Sequence, residues 1–411
     1  MGLFRKKPNH YRNDKKKKDD RQVMSFEQLP LDEYEKQESS GLKLDKKKLL
    51  IAAGILVLLV LCVVLYFTRG NISSCVDNMS KGKSFTSVVS GSSVDAGNFR
   101  TFSDGLCYAS DTSFVCLDSQ GQELFSTQHG YARPVMKTTD TAALVYDLGS
   151  TGFMFADSTH VIYSSDAEYN IYLADLASDM SYALVTEESG YNARLSAYTA
   201  EHKIRYSYSF SEYYITSMAL SPDGSGAVVC GISADKGSSV SIIYVVDFSK
   251  EEPVAKHQIS GDMLFDCNYL SRNSVCAIGS DASYVVNGSK FSSLQKKSYS
   301  QMTLTAYDIN TDVGVLALSL SRSGDGRNCS VEYVNASGKT EKTIETDKAL
   351  ISVSTYKDRL AVCDTQGVHL YRYNGDLISS SQVNSDCKQI RLASTNFVYI
   401  LGLSDINGLA L

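Results

Sequence analysis

Two kinds of hydrophobic pattern divide this chain. The first is an unbroken apolar run from Leu49 to Phe67, LLIAAGILVLLVLCVVLYF, which has 19 residues and contains no charged residue or proline. At about 1.5 Å per residue, a helix of this length reaches roughly 28 Å, close to the ~30 Å hydrocarbon core of a bilayer. Because backbone polar groups in lipid must bond one another, the run predicts one transmembrane helix.

The second pattern begins at Ser84, where runs of five to eight residues alternate between apolar and polar positions. This period of two is typical of half-buried β-strands. Tight Asn/Asp–Gly turns join some of these runs, with Gly121, Gly338 and Gly375 supplying the positive φ. A further pair of strands precedes each such pair. Four strands per unit, recurring about every 35 to 48 residues, is the period of a β-propeller blade.

The repeat predicts an all-β propeller of eight four-stranded blades, with seven as the alternative, preceded by the transmembrane helix. Its units are 95–129, 130–166, 167–211, 212–260, 261–300, 301–346, 347–384 and 385–411. The last unit lacks a fourth strand, and the run SFTSVVS at 84–90 has no blade of its own. That run could supply the missing strand and close the ring, which would remove an open sheet edge.

The charges around the apolar run predict its orientation. Lys46, Lys47 and Lys48 directly precede Leu49, and the tail before the run carries 14 Lys and Arg against 9 Asp and Glu. Lys and Arg remain on the cytoplasmic side, so we expect a cytoplasmic N-terminus and an extracytoplasmic C-terminal domain in the cell membrane. The predicted divisions are a disordered basic tail at 1–48, the span at 49–67 ending in Phe67, a linker at 68–83 and the propeller at 84–411.

Two alternatives to a retained anchor fit the sequence less well. A cleaved signal peptide would have a shorter leading segment, a shorter apolar run and a small-residue cleavage site. A lipid-modified Cys75 would end the apolar run, but Arg69, Gly70 and Asn71 lie between them. In the tail, residues 26–34 place apolar side chains among acids, which is either a docking segment or solvated chain.

The charge of the residues after the span argues against nucleic acid as a partner. The residues after the span carry 26 Lys and Arg against 37 Asp and Glu, so the exterior part is acidic. An acidic domain is a poor binder of nucleic acid. The partners that remain are the membrane, through one span, and an envelope protein or wall polymer.

One turn and the overall layout resemble known propellers. The sequence Ser221-Pro222-Asp223-Gly224 between two strand-like runs looks like the turn in blades of WD40- and TolB-type propellers, although the chain has no Trp and so lacks the Trp-Asp dipeptide of true WD40 repeats. The layout of basic tail, single span and β domain is similar to an uncharacterised family of membrane-anchored propellers in Gram-positive bacteria. This resemblance implies an extracytoplasmic location and no known activity.

The cysteines allow two interpretations. Cys107 and Cys116, and likewise Cys267 and Cys276, would face each other across predicted turns, at a spacing that permits cross-strand disulfides. The other interpretation is free thiols packed between blades, because several cysteines lie in the small second strand of a unit. The nine cysteines after the span are an odd number, which favours free thiols.

The search for chemistry identifies no catalytic, cofactor-binding or metal-binding residue. The chain has no C-x-x-C or H-x-x-x-H pair, no G-x-S-x-G and no phosphate-binding glycine loop. His129, on a predicted loop between blades, is the one histidine that merits attention, although such residues are usually solvated.

We therefore predict a non-catalytic binding or scaffold module without cofactors. The alternative is a propeller enzyme or small-ligand receptor with its site at the mouth of the central channel. Three or more carboxylates, His or Arg within hydrogen-bond reach there would favour the alternative. A mouth of Ser, Thr and aliphatic residues would exclude it.

Overall fold

The computed structural model describes residues 84–103, 105–322, 327–383 and 386–411. The predicted span from Leu49 to Phe67, its flank Lys46–Lys48 and the predicted linker lie outside these residues and remain predictions. Within the described ranges, no helix is both long enough and apolar enough to cross a membrane.

The described residues form eight antiparallel sheets of four strands each. We number them as blades 1 to 8 in chain order. The strands of blades 1 to 4 are β2 (Val94–Phe102), β3 (Gly105–Ser110), β4 (Ser113–Leu117), β5 (Glu123–Gln128), β6 (Pro134–Thr138), β7 (Ala143–Asp147), β8 (Gly152–Ala156), β9 (Val161–Asp166), β10 (Ile171–Leu176), β11 (Tyr182–Thr186), β12 (Ala193–Tyr198), β13 (Ile204–Phe210), β14 (Tyr214–Leu220), β15 (Gly226–Asp235), β16 (Ser238–Asp247) and β17 (Ala255–Ser260).

Blades 5 to 8 continue the same order, and blade 8 takes its outermost strand, β1, from the other end of the chain. One short 3₁₀ helix, Ser289–Phe291, lies within blade 5. The strands are β18 (Leu264–Ser271), β19 (Ser274–Gly279), β20 (Ala282–Asn287), β21 (Ser293–Ser298), β22 (Thr303–Asn310), β23 (Val315–Ser321), β24 (Cys329–Asn335), β25 (Thr340–Thr346), β26 (Leu350–Tyr356), β27 (Arg359–Asp364), β28 (Gly367–Arg372), β29 (Leu377–Gln382), β30 (Gln389–Leu392), β31 (Phe397–Leu401), β32 (Asp405–Ala410) and β1 (Phe85–Val88).

The eight-bladed architecture confirms the prediction from the repeat. Among the strands of blades 1 to 7, only β2 begins outside its predicted unit: it starts at Val94, one residue before the unit does. The predicted turns are present, and Gly121, Gly338 and Gly375 adopt φ of +78°, +79° and +91°. Glycine is the residue that takes this conformation at the lowest cost, so the turn signals located the blades correctly.

The ring is closed by the strand that the sequence left without a blade. Strand β1 pairs antiparallel with β32, with Phe85 opposite Gly408. The Phe85 ring lies 6.2 Å from that of Tyr399. It also lies directly against Gly121 of blade 1 and Gly408 of blade 8, where an added Cβ would overlap it. Phe85 therefore connects the first and last blades.

The hydrophobic core consists of layers between neighbouring blades. All six residues of β3 are buried. Leu106 and Tyr108 pack towards blade 8, whereas Cys107 and Ala109 pack towards blade 2. This alternation follows from the period-two geometry of a strand that is covered on both faces.

The cysteine predictions have a mixed outcome. Cys107 lies opposite Cys116, as expected. The pairing of Cys267 with Cys276 is wrong, because the turn lies at Arg272 and Asn273, one residue later than predicted, and Cys267 lies opposite Ala277. The two thiols consequently belong to core layers on opposite sides of blade 5. Cys107, Cys116, Cys267 and Cys276 are free thiols, and all four are buried.

We predict that Phe85→Ala will weaken the closure of the ring. The substitution removes the contact with Tyr399 and leaves a cavity, so it should lower the free energy of unfolding by about 2 to 4 kcal/mol. Urea denaturation of the full chain, followed by circular dichroism, measures this. Val88→Ala in the same strand is the matched control, because Val88 is 79% exposed. Equal stability of the two variants would show that β1 does not hold the ring closed.

Candidate functional site: the central channel

The channel is surrounded by the first strand of each blade, which we call the inner strand: β2, β6, β10, β14, β18, β22, β26 and β30. Each inner strand has a sheet neighbour on one side only. On the other side its backbone groups face the neighbouring blade or the channel. An unpaired backbone N–H in such a place costs about 1 to 3 kcal/mol.

Polar side chains of adjacent blades satisfy several of these backbone groups. Asn98 of β2 accepts a hydrogen bond from the Met136 N–H of β6 at 2.8 Å. Asp308 of β22 accepts one from the Thr355 N–H of β26 at 2.7 Å. The same arrangement recurs between Asp175 and Leu220, Ser217 and Cys267, Ser352 and Ile390, and Ser354 and Leu392.

The axis of the ring holds a cavity of about 1050 Å³, lined by inner strands of blades 1, 2, 5, 6, 7 and 8. We call the end where the inner strands begin the front face and the opposite end the back face. Phe265, Ile351 and Lys388 line the front end of the cavity, and Asp140 and Asp312 line the back end. The cavity is thus open to ligands of small-molecule size.

At mid-depth, the channel contains two arginines and one ion pair. Arg391 donates to Asp308 Oδ1 at 2.9 Å. Its Nε also donates to the Phe99 carbonyl at 3.4 Å, and Arg100 donates to the same carbonyl at 3.3 Å. The two guanidinium groups therefore approach the same oxygen. In the described part of the chain, Arg100 forms no ion pair with a carboxylate.

The surroundings of Arg100 disfavour its positive charge. Burial, followed by repulsion from Arg391, lowers the pKa of Arg100 to about 9, although Asp308 and Asp266 act in the opposite direction. The side chain is half-buried in the channel wall. The guanidinium is therefore a partly desolvated charge without a directly bonded carboxylate among the described residues.

The second carboxylate of the channel, Asp266, is fully engaged. Its Oδ2 accepts a hydrogen bond from the Tyr307 hydroxyl at 2.8 Å. Its Oδ1 accepts from Ser217 Oγ at 3.1 Å and from the Cys267 N–H at 2.9 Å. Burial, and then Asp266 itself, raise the pKa of Tyr307, so this phenol remains protonated. Phe265 packs edge-on against the Tyr307 ring, with centroids 6.1 Å apart.

The sequence criterion for a small-ligand site is met in part. Arg100, Arg391, Asp266 and Asp308 line the channel, which is therefore not a mouth of Ser, Thr and aliphatic residues alone. Only Arg391 and Asp308 among these four groups are within hydrogen-bond reach of each other. Sequence reasoning missed these residues because they occupy polar positions of alternating strands, as solvent-facing residues do. A carboxylate or arginine inside the first strand of a unit was the available signal.

His129 lies outside the channel and has a structural role. Its Nε2 is 3.1 Å from the Ser110 carbonyl, and its Nδ1 accepts a hydrogen bond from the Tyr131 N–H at 3.0 Å. The ring stacks on Tyr131 with centroids 5.0 Å apart. Burial lowers the pKa of His129, which keeps the imidazole neutral. These contacts fix the loop between blades 1 and 2.

A serine, a histidine and an aspartate also meet on the outer part of blade 7. His369 lies 3.0 Å from Asp364 Oδ2 and 2.8 Å from Ser380 Oγ. Asp364 also accepts from the N–H groups of Gln366 and Gly367 at 2.7 and 3.0 Å, so it holds the turn between β27 and β28. Burial raises the pKa of Asp364, but hydrogen bonds from Gln366 and Lys348 outweigh it and the net shift is downward. The arrangement stabilises a turn.

Metal binding finds no support in the described ranges, where no group of three His, Cys, Asp or Glu side chains is placed to hold an ion.

The fold defines an eight-bladed β-propeller, and comparisons with solved structures agree. The chain is similar to BamB from Moraxella catarrhalis, with TM-score 0.50, 14% identity and coverage of 80% of this chain and 100% of that one. It is also similar to Sqt1 from Saccharomyces cerevisiae, with TM-score 0.56, 8% identity and coverage of 80% and 98%. At these identities the likeness concerns the fold alone.

The chain belongs to the family of unknown function DUF5711, whose model matches residues 80–407. A comparison with curated protein sequences finds no match.

We predict that Asp308→Asn will destabilise the ring at the channel. It leaves the Arg391 charge without its partner and weakens the bonds to Thr355, which should cost about 3 to 5 kcal/mol in unfolding free energy. Asp312→Asn, at the exposed turn after the same strand, should change it by less than about 0.5 kcal/mol. Urea denaturation compares them, and equal midpoints would show that the ion pair does not support the fold.

Proposed function

We propose that this protein is a non-catalytic binding module, anchored in the membrane and facing the cell exterior, whose propeller binds an envelope protein. The observation that carries the proposal is that the exposed aromatic and Met side chains of the described residues lie at one face of the propeller. Propellers present many loops on a rigid scaffold, and loops are where binding residues concentrate.

The connections between blades, and between the second and third strands of a blade, lie on the front face. Of 14 exposed large hydrophobic residues in the described ranges, seven lie at this face. Six lie at the opposite end, where five begin outer strands and Val313 is in a turn, and Val88 is at the end of the outer strand β1. The seven are Tyr169, Tyr191, Tyr214, Met263, Phe265, Ile351 and Leu403. Exposed aromatic and Met side chains are enriched at protein interfaces.

Acidic residues surround the tyrosines of the front face. Blades 3 and 4 place Glu168, Glu187, Glu188, Glu212 and Asp235 on loops or strand ends at this face, where they outnumber the basic residues Lys236 and Arg194, the latter 3.6 Å from Glu188. Complementary charge directs association and suppresses wrong partners. This surface therefore favours a protein with a basic patch over an anionic wall polymer.

The front-face proposal predicts a specific loss of binding. Tyr191→Ser combined with Tyr214→Ser should reduce recovery of the cross-linked partner at least about tenfold, since aromatic anchors commonly contribute 2 kcal/mol or more each. The measurement is proximity cross-linking and pull-down of the full-length protein in its native membrane. The control is Leu124→Ser with Ile204→Ser, two exposed positions on outer strands. Equal recovery from both double variants would contradict the proposal.

The location is part of the same proposal. The apolar run from Leu49 to Phe67 supports an anchor, and Lys46–Lys48 support a cytoplasmic tail. This layout is also that of the Gram-positive propeller family described above.

We expect protease added to intact cells, after removal of the wall, to cleave the propeller but not the tail. Deleting residues 49–67 should release the protein from the membrane fraction, because a single apolar span is the whole proposed anchor. Detection with tags at both ends measures each outcome. A propeller that is protected in intact cells and cleaved only after lysis would overturn the proposed orientation.

A further inference from the structure

The channel offers a binding site that is independent of the front-face partner. Arg100 carries five N–H donors, and in the described part of the chain a single hydrogen bond, to the Phe99 carbonyl, engages them. Arg391 approaches the same carbonyl from blade 8. An arginine with a structural role normally donates its N–H groups to a carboxylate or to several carbonyl groups. Arg100 does not.

The carboxylates nearest to Arg100 are already engaged. Asp308 is bonded to Arg391 and to both the N–H and the hydroxyl of Thr355. Asp266 accepts from Ser217, Tyr307 and Cys267, as described above. Neither one gives Arg100 a hydrogen bond. Two guanidinium groups thus share the middle of the channel with one direct counter-charge.

Burial and the nearby Arg391 both work against the charge on Arg100, as its lowered pKa of about 9 records. A bound anion would offset both penalties, because it would add a counter-charge and accept the unused N–H groups. The cavity volume of about 1050 Å³ leaves space for such a guest next to the guanidinium.

We infer that the channel binds a small oxyanion, a carboxylate or a phosphate group, between Arg100 and Arg391. The planar fork of arginine matches both chemistries in a bidentate manner.

The test uses the purified full-length protein and two probes, acetate and inorganic phosphate, in isothermal titration calorimetry at constant ionic strength with chloride. We expect at least one probe to bind the wild type and Arg100→Met to lose at least tenfold in affinity. Arg100→Lys keeps the positive charge but lacks the planar guanidinium, so it should bind the probe with intermediate affinity. The stronger of the two probes identifies the headgroup chemistry.

The matched control is Arg272→Met. Arg272 is a surface arginine whose side chain is 84% exposed, in a distant pair with Asp223. The affinity of the Arg272→Met variant for both probes should equal that of the wild type. Binding that is absent from the wild type, or that persists in Arg100→Met, would overturn the inference.

Thermal unfolding without added anion supplies a second readout. Arg100→Met should melt at or above the wild-type temperature, because it removes a half-buried charge that has no bonded carboxylate in the described part of the chain. A guanidinium required by the fold would instead lower the melting temperature by several degrees in Arg100→Met. That result would show that the protein itself satisfies Arg100, and it would also overturn the inference.

Discussion

The structure depends on how the inner strands satisfy their free edges. Each inner strand hydrogen-bonds within its own sheet on one side only, and neighbouring blades diverge too much for a second backbone ladder. Polar side chains replace that ladder, as Asn98 does for Met136 and Asp308 for Thr355. The blades are therefore joined at the axis by directional polar bonds and further out by apolar layers. A polar channel follows from this requirement before any ligand is considered.

The same requirement separates structural polar groups from groups that remain for binding. The carboxylate oxygens of Asp266 and Asp308 accept hydrogen bonds from neighbouring donors. The carboxylate of Asp364 in blade 7 likewise accepts hydrogen bonds from the backbone of a turn. A Ser, His and Asp in contact, or a carboxylate in a channel, is thus not by itself a catalytic group. Arg100 stands out because its hydrogen-bonding capacity is largely unused in the described residues. Hydrogen-bond capacity that the fold leaves unused is the more discriminating guide to a site.

The sequence was sufficient to predict the blade architecture because the patterns that mark strands and turns are local. Alternation and glycine turns such as Gly121 and Gly375 locate strands within a blade, and the unmatched strand around Phe85 indicated how the ring closes. The pairing of Cys267 with Cys276 failed because the turn lies one residue later than predicted, at Arg272 and Asn273, and no Gly or Pro marks its position. The channel site was missed because convergence of different blades on one axis leaves no local pattern. The membrane span from Leu49 to Phe67 remains a prediction.

Closure by β1 has a consequence for how the protein is made. Thr86 bonds Asn407 across 321 positions of sequence, so the first described strand pairs with the last. Until β32 has been synthesised, the nascent chain displays an unpaired edge on β1 and lacks its eighth blade. Contacts of such sequence separation slow folding, and exposed edges invite pairing between chains. The interval between synthesis of the two ends is thus the period of greatest risk of aggregation, and a factor that shields β1 would act then.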